Sequence, residues 1–251
     1  MVKKVIFLTA TRADYGKLKK IIISTQALKN FEAHVFVTGM HNLKSHGNTY
    51  KQIELDKIEN VTRFFNQSLG DNHSKVLSKT AVGFSKYIKA IKPDLVVVHG
   101  DRVEPLTCSI VCCLNNIKIA HFEGGEISGT IDETFRHSIS KLCNIHFVTN
   151  FVAKKRLIQM GEKSDNIFIT GSPDVDLILS KELPNLHDTK LRYNINFESY
   201  ALAIFHPVTT DIKNLKKNIS NFIKALKLSN EKYILIFPNN DLGSELIIKQ
   251  Y

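Results

Sequence analysis

No stretch of this 251-residue sequence approaches the roughly 20 consecutive apolar residues that a membrane helix requires. The opening MVKKVIFLTATRAD resembles a secretory leader, yet its apolar stretch ends after about six residues, short of a leader's core. It reads as a first buried strand, and the chain reads as a cytoplasmic protein with no membrane partner. Cysteine is scarce: Cys108, Cys112, Cys113 and Cys143 fall in apolar, helix-like segments without metal-finger spacing. All four are expected to be reduced, buried and inert. Internal repeats at solenoid spacing and low-complexity tracts are also missing. Acid is short relative to base, 24 against 34 residues. The excess is lysine scattered along every segment, denser only in DIKNLKKNISNFIKALK, and such scatter describes solvated helix faces rather than a nucleic-acid surface.

What is present is a rhythm. The β-branched runs KVIFLTA, AHVFVTG, DLVVVHG, IKIAHF, IHFVT, NIFITG, YALAIFHP and YILIFP are separated by amphipathic segments. Strands alternating with helical patterns imply an α/β protein with a doubly wound, Rossmann-like parallel sheet. The polar segment KELPNLHDTKLRYNINFE, 181–198, breaks the rhythm and reads as a linker between an amino-terminal domain, 1–180, and the start of a second, 199–251. Two strand-helix units are too few to cover both faces of a parallel sheet, so the second domain reads as incomplete.

In open α/β sheets ligands bind beyond the carboxyl ends of the strands. Those positions here carry Arg12 in TRADYG, His41 in TGMH, His99, Asp101 and Arg102 in HGDR, His121 and Glu123 in HFEGG, and His206 in FHPVTT. Asp132 fits either a site carboxylate or the start of the helix IDETFRHSISKL. Gly124 and Gly125 fit plain turn residues or close approach of a ligand to backbone. His99 with Asp101, and His121 with Glu123, are two apart, the spacing at which a metal-dependent hydrolase would gather ligands. Arg12, Arg102 and Arg136 nearby would repel a metal ion and suit an anion such as phosphate.

The segments TRADYGKL, TGMH followed by HGNTY, KPDLVVVHGDR, HFEGGEISGTIDETFRH, FHPVTTDIK and FPNNDLGS occur in the order of the hydrolysing UDP-N-acetylglucosamine 2-epimerases, and the sequence resembles that family across essentially its whole length. The epimerase half of the bifunctional epimerase/N-acetylmannosamine kinase of sialic acid synthesis is among its members. The resemblance implies a two-domain, glycosyltransferase-B-like architecture with the sugar nucleotide between the domains. It also implies conversion of UDP-N-acetylglucosamine and water to N-acetylmannosamine and UDP by elimination and hydration. It implies no cofactor, no metal, and a homo-oligomer when complete.

Carried over by position, Asp101, Glu123 and Asp132 would be the carboxylates of the chemistry and His41 would assist near the sugar. Arg12, Gly16, Arg102, His206 and Asn239 would contact the uridine diphosphate, with Glu133, Arg136, Gly124 and Gly125 in support. Several carboxylates in one cleft are expected to raise each other's proton affinity, so that one serves as acid and another as base.

Gly16 stands where some relatives carry a serine, leaving only backbone for that contact. Relatives also continue beyond the equivalent of residue 251 with a serine- and glycine-containing loop and an acid that hold the nucleotide. The chain therefore reads as one whose second domain stops partway, weakly active or inactive alone. Alternatives are the same reaction on a UDP-2,4-diacetamido-2,4,6-trideoxy sugar, an inactive fragment or binding module, and a glycosyltransferase, which the acid cluster disfavours.

Overall fold

A computed structural model describes residues 2–180 and 183–251. By its contacts the chain divides into two compact units, Met1–Asp176 and Leu177–Tyr251. In the first, strands β1 (Lys3–Thr9), β2 (Phe31–Val37), β3 (Val61–Arg63), β4 (Leu95–His99), β5 (Lys118–Phe122), β6 (Ile145–Val148) and β7 (Ile167–Ile169) alternate with helices α1 (Arg12–Gln26), α2 (Tyr50–Leu55), α3 (His73–Ile91), α4 (Val103–Leu114), α5 (Thr130–Leu142) and α6 (Phe151–Gln159). α7 (Pro173–Leu179) follows and runs across the boundary between the units. Among the described residues the strands form one parallel sheet in the order β3-β2-β1-β4-β5-β6-β7. The order reverses between β1 and β4, which opens a crevice at their carboxyl ends.

The sheet is buried on both faces, as parallel sheets must be. Period-two alternation sends Ile6, Leu8, Val96, Val98 and Ile119 to one face, against Phe84 and Ile88 of α3, Cys108, Val111 and Cys112 of α4, and Ile139 of α5. Val5, Phe7, Val97, Ala120 and Phe122 face the other way, toward Tyr15, Leu18 and Ile22 of α1 and Ile53 of α2. Strand β3 escapes a reading from sequence because its three residues, VTR, carry too short a pattern to show periodicity. Cys108, Cys112 and Cys143 are buried, and burial pushes the Cys112 thiol up to about 12. Cys113 corrects the expectation for all four: one position beyond Cys112 on α4, it turns outward and is exposed.

In the second unit β8 (Ala201–Ile204) pairs in parallel with β9 (Tyr233–Ile236). Helices α8 (Leu186–Arg192), α9 (Leu215–Leu228) and α10 (Ser244–Gln250) complete it. α8 lies inside the segment read as a linker, started by Asn185, whose side chain accepts from the Asp188 N–H. Residues 181 and 182 of that segment lie outside the described residues. Leu215, Ile219 and Ile247 form the small core. Leu202 and Ile204 remain 65% and 49% exposed, and Phe237 53%, so the apolar strands are covered incompletely. No helix among the described residues is long and apolar enough to cross a membrane.

Exposed apolar strand surface promotes association. The 251-residue chain is expected to self-associate with rising concentration in light scattering, and Leu202→Lys with Ile204→Lys to suppress it. Equal association before and after substitution would show that another surface is responsible.

Candidate active site at the strand ends

The turns after β4 and β5 hold the acids singled out in the sequence, and backbone geometry decides where each points. His121 and Glu123 are two apart and in a regular strand would share a face. Glu123 instead adopts φ +60, a left-handed conformation uncommon outside glycine, while its N–H donates to the Phe147 carbonyl at 2.9 Å. His121 stays on the α5 side, fully buried, with Nδ1 at 3.1 Å from Ser140 Oγ and Nε2 at 2.8 Å from the Gly100 carbonyl. That carbonyl can only accept, so Nε2 carries the proton. Burial holds the His121 imidazole down at about 3, so it is a neutral strut between the β4 turn and α5.

The Glu123 carboxylate is carried to the α1 side. Lys17 donates to its Oε2 at 2.7 Å, and His99 Nε2 lies 3.1 Å from the same oxygen, out of line for a well-formed hydrogen bond. Ser172 Oγ is 3.5 Å from Oε1. Burial of Glu123 pushes its carboxyl up, but His99 and Lys17 together outweigh that and hold it down at about 2. Lys17 is bridged in turn to Asp174, at 3.1 Å. Burial tends to lower the ammonium's proton affinity, and Glu123 with Asp174 turns the balance upward. A cation therefore already sits on Glu123, and it is Lys17. Among the described residues no group of three His, Cys, Asp or Glu side chains is placed to hold a metal ion.

Asp101 belongs to a second pair. Its carboxylate meets the Arg136 guanidinium of α5, which also donates to Ser128 Oγ at 2.9 Å and the Glu126 carbonyl at 3.3 Å. The expectation that crowded carboxylates raise each other's proton affinity fails at Glu123, because Lys17 is a cationic partner of this acid, with His99 beside it, and Asp101 has a separate one. Asp132 is exposed in the first turn of α5, but it does not cap the helix. The cap residue is Gly129, and Glu133 accepts from the Ser128 N–H at 2.9 Å.

Packing within the protein by itself requires both glycines. A Cβ on Gly124 would come within 2.7 Å of Ser140 Oγ and 2.8 Å of His121 Nδ1, and one on Gly125, at φ +77, within 2.5 Å of the Ala153 carbonyl oxygen. Gly16 differs: a Cβ there meets nothing within 4 Å, so a side chain would fit.

His41 is completely buried, with Nε2 at 2.8 Å from Thr9 Oγ1 and Nδ1 at 2.8 Å from Thr49 Oγ1. Asp14, buried in the capping box that Thr11 makes at the start of α1, lies 4.0 Å from Nε2. Burial lowers the proton affinity of His41 despite Asp14. In this structure it ties residues 38–49 to the end of β1. Arg12 is exposed at the first position of α1, and Arg102 occupies the cap position of α4. Helix amino termini favour anions, and an arginine at each strengthens that preference. In the second unit His206 and Asn239 are exposed just beyond the ends of the adjacent strands β8 and β9. Lys17 and Asp174 carry no signal in the sequence: one is a lysine among many, the other lies 51 positions past Glu123.

His41, His121 and His146 all resist protonation in the fold because burial disfavours the charged ring. The unfolded chain takes up these protons near the ordinary value of 6.5, so stability present above that value is lost as pH falls from 6.5 toward 3. The melting temperature should fall by at least about 5 °C between pH 7 and pH 5, before most carboxylates titrate. A flat profile over that interval would contradict the buried, neutral assignment.

Known proteins resemble this chain in both sequence and fold. The family model described as UDP-N-acetylglucosamine 2-epimerase matches residues 24–251. The UDP-N-acetylglucosamine 2-epimerase of Neisseria meningitidis serogroup B is 42% identical over 248 residues, covering 99% of this chain and 66% of the relative. A Legionella pneumophila protein named UDP-N,N'-diacetylbacillosamine 2-epimerase (hydrolyzing) is 34% identical over 251 residues, covering 98% and 67%. In fold, the chain superposes on the Methanocaldococcus jannaschii UDP-GlcNAc 2-epimerase, solved with UDP-GlcNAc and UDP, with a TM-score of 0.77 at 20% identity, covering 98% of this chain and 68% of that one. The architecture is of the glycosyltransferase-B type, and the chain spans about two thirds of the length of these relatives. With a matching model over most of its residues and a relative at 42% identity, the chain belongs to the UDP-N-acetylglucosamine 2-epimerase family.

Proposed function

We propose that the chain carries the catalytic carboxylates of a cytoplasmic, hydrolysing 2-epimerase that converts UDP-N-acetylglucosamine and water to N-acetylmannosamine and UDP, a step that feeds sialic acid synthesis. The observation that carries the reading is Glu123, a partly buried carboxylate held ionised by Lys17, with His99 beside it, at the end of the central strands. In the reaction a base takes the proton from sugar carbon 2, and the bond from carbon 1 to the phosphate oxygen breaks, its electron pair leaving with UDP. A carbon 1–carbon 2 double bond remains. Water then adds its oxygen at carbon 1, while carbon 2 receives a proton on the opposite face.

The proton at carbon 2 is not acidic, so stabilising the departing diphosphate matters as much as the base. Arg12 and Arg102, at helix amino termini of the first unit, supply positive charge for it, and His206 and Asn239, beyond β8 and β9 of the second unit, are the polar groups that the resemblance assigns to the nucleotide. Glu123, held at about 2, is ionised at neutral pH. Asp101 and Asp132 complete the set of carboxylates. A second substrate fits the same chemistry: relatives in Legionella and Campylobacter are named for UDP-N,N'-diacetylbacillosamine.

The test joins this chain to the carboxyl-terminal third of the Neisseria relative and supplies both nucleotide sugars in D2O. The product should carry one deuterium at carbon 2, with stoichiometric release of UDP. Asp101→Asn, Glu123→Gln and Asp132→Asn should each cut turnover at least about a hundredfold, whereas Arg12→Ala and His206→Ala should also weaken UDP binding. Retention of the original hydrogen at carbon 2, or near-normal turnover in two of the three acid variants, would overturn the reading. Loss of activity on adding EDTA, restored by metal, would favour a metal-dependent hydrolase instead.

A further inference from the structure

Glu104 is a buried acid that the chemistry above does not use. It sits in the first turn of α4, two residues beyond Arg102, and is 2% exposed. Oε1 accepts from Gln67 Nε2 at 3.2 Å and faces Asn66 Nδ2 at 3.5 Å, while Oε2 is buried with no hydrogen-bond partner among the described residues. Burial pushes the carboxyl up, Arg102 pulls it down, and Asp14 adds to the push. A buried acid with one unsatisfied oxygen costs stability, so its retention calls for a compensating role.

Asn66 supplies the other end of that role. It is fully buried, its Oδ1 accepts from the Gly39 N–H at 2.9 Å, and its Nδ2 donates to Thr80 Oγ1 at 2.8 Å. Thr80 is fixed by donating to the Val76 carbonyl within α3. Gly39 opens the turn that holds His41, and the His41 N–H donates to the Ala10 carbonyl at the end of β1. Gly39, Asn66 and Glu104 thus form a continuous line from the turn after β2 to the turn after β4.

We propose that Glu104 and Asn66 are a positioning pair that fixes the turn bearing Asp101 and Arg102 against the turn bearing Gly39 and His41. The consequence for turnover rests on the reading of Asp101 and Arg102 as site residues; the mechanical coupling does not. A carboxylate reaching across at one fixed length suits this better than an apolar side chain, because the Asn66 and Gln67 amides both aim at a single oxygen.

Hydrogen exchange on the 251-residue chain tests the coupling. Glu104→Ala should speed exchange of the amides at 39–41 at least about tenfold, and Asn66→Ala should do the same at 100–103, each effect appearing across the pair from its cause. The double variant should exceed the worse single one by no more than about twofold, and Glu104→Gln, which keeps an acceptor oxygen, should stay close to the unsubstituted chain. Changes confined to the substituted side, or a Gln variant that behaves as Ala, would overturn the proposal. If both truncations prevent folding, Gln67→Ala removes the bond to Glu104 from a half-buried residue and should still loosen 39–41; no change there would overturn it equally.

In the extended chain, Glu104→Ala should lower turnover about tenfold with KM moved less than about threefold, and Glu104→Gln should restore it. Normal turnover in Glu104→Ala would remove the functional consequence. Normal turnover in Asp101→Asn would instead sink the site reading and leave the exchange result standing.

Discussion

The strand-end site depends on the reversal of the backbone at Glu123. A regular strand would leave this acid on the α5 side with His121, in a layer that is apolar and fully packed. The left-handed turn sends it to the opposite face, where Lys17 of α1 and His99 of β4 meet it. A non-glycine residue in that region is strained, and the ion pair offsets the strain locally. Glycine immediately follows because the same turn brings backbone against His121 and Ser140, leaving no room for a Cβ. Strain, ion pair and glycine are three parts of one local solution.

That solution has value only because of the sheet order. The reversal between β1 and β4 brings the first turn of α1 and the turns after β4 and β5 to one edge, so Arg12 and Lys17 from early in the chain share it with Asp101, Arg102 and Glu123 from its middle. The acids are then separated by electrostatics rather than by distance along the sequence. Glu123 answers to Lys17 and His99, Asp101 to Arg136, and the buried histidines His41 and His121 are neutral ties that hold the turns in place.

Much of this is legible in the sequence. The β-branched runs announce the parallel sheet, since a strand buried on both faces has few ways to look otherwise, and the polar residues following them mark the edge that carries the candidate site. What escaped has physical causes. β3 is too short to show a period. Lys17 is one of many lysines, and its importance lies in a fold contact with an acid 106 positions away. Gly124 and Gly125 look the same in sequence whether they make room for a ligand or for a histidine and a carbonyl. His41 and His121 stand at strand ends where ligands bind, and that both rings have both nitrogens satisfied inside the fold is visible only once their partners are known.

The ionisation of Glu123 is the claim on which the chemical account turns, and it can be measured directly in the 251-residue chain by following its carboxyl carbon resonance through an acid titration. The account predicts a titration near 2, together with a rise toward the ordinary value of 4.5 when Lys17 is replaced by Met. A carboxyl that titrates at or above 4.5 in the unsubstituted protein, or one indifferent to the loss of Lys17, would contradict it.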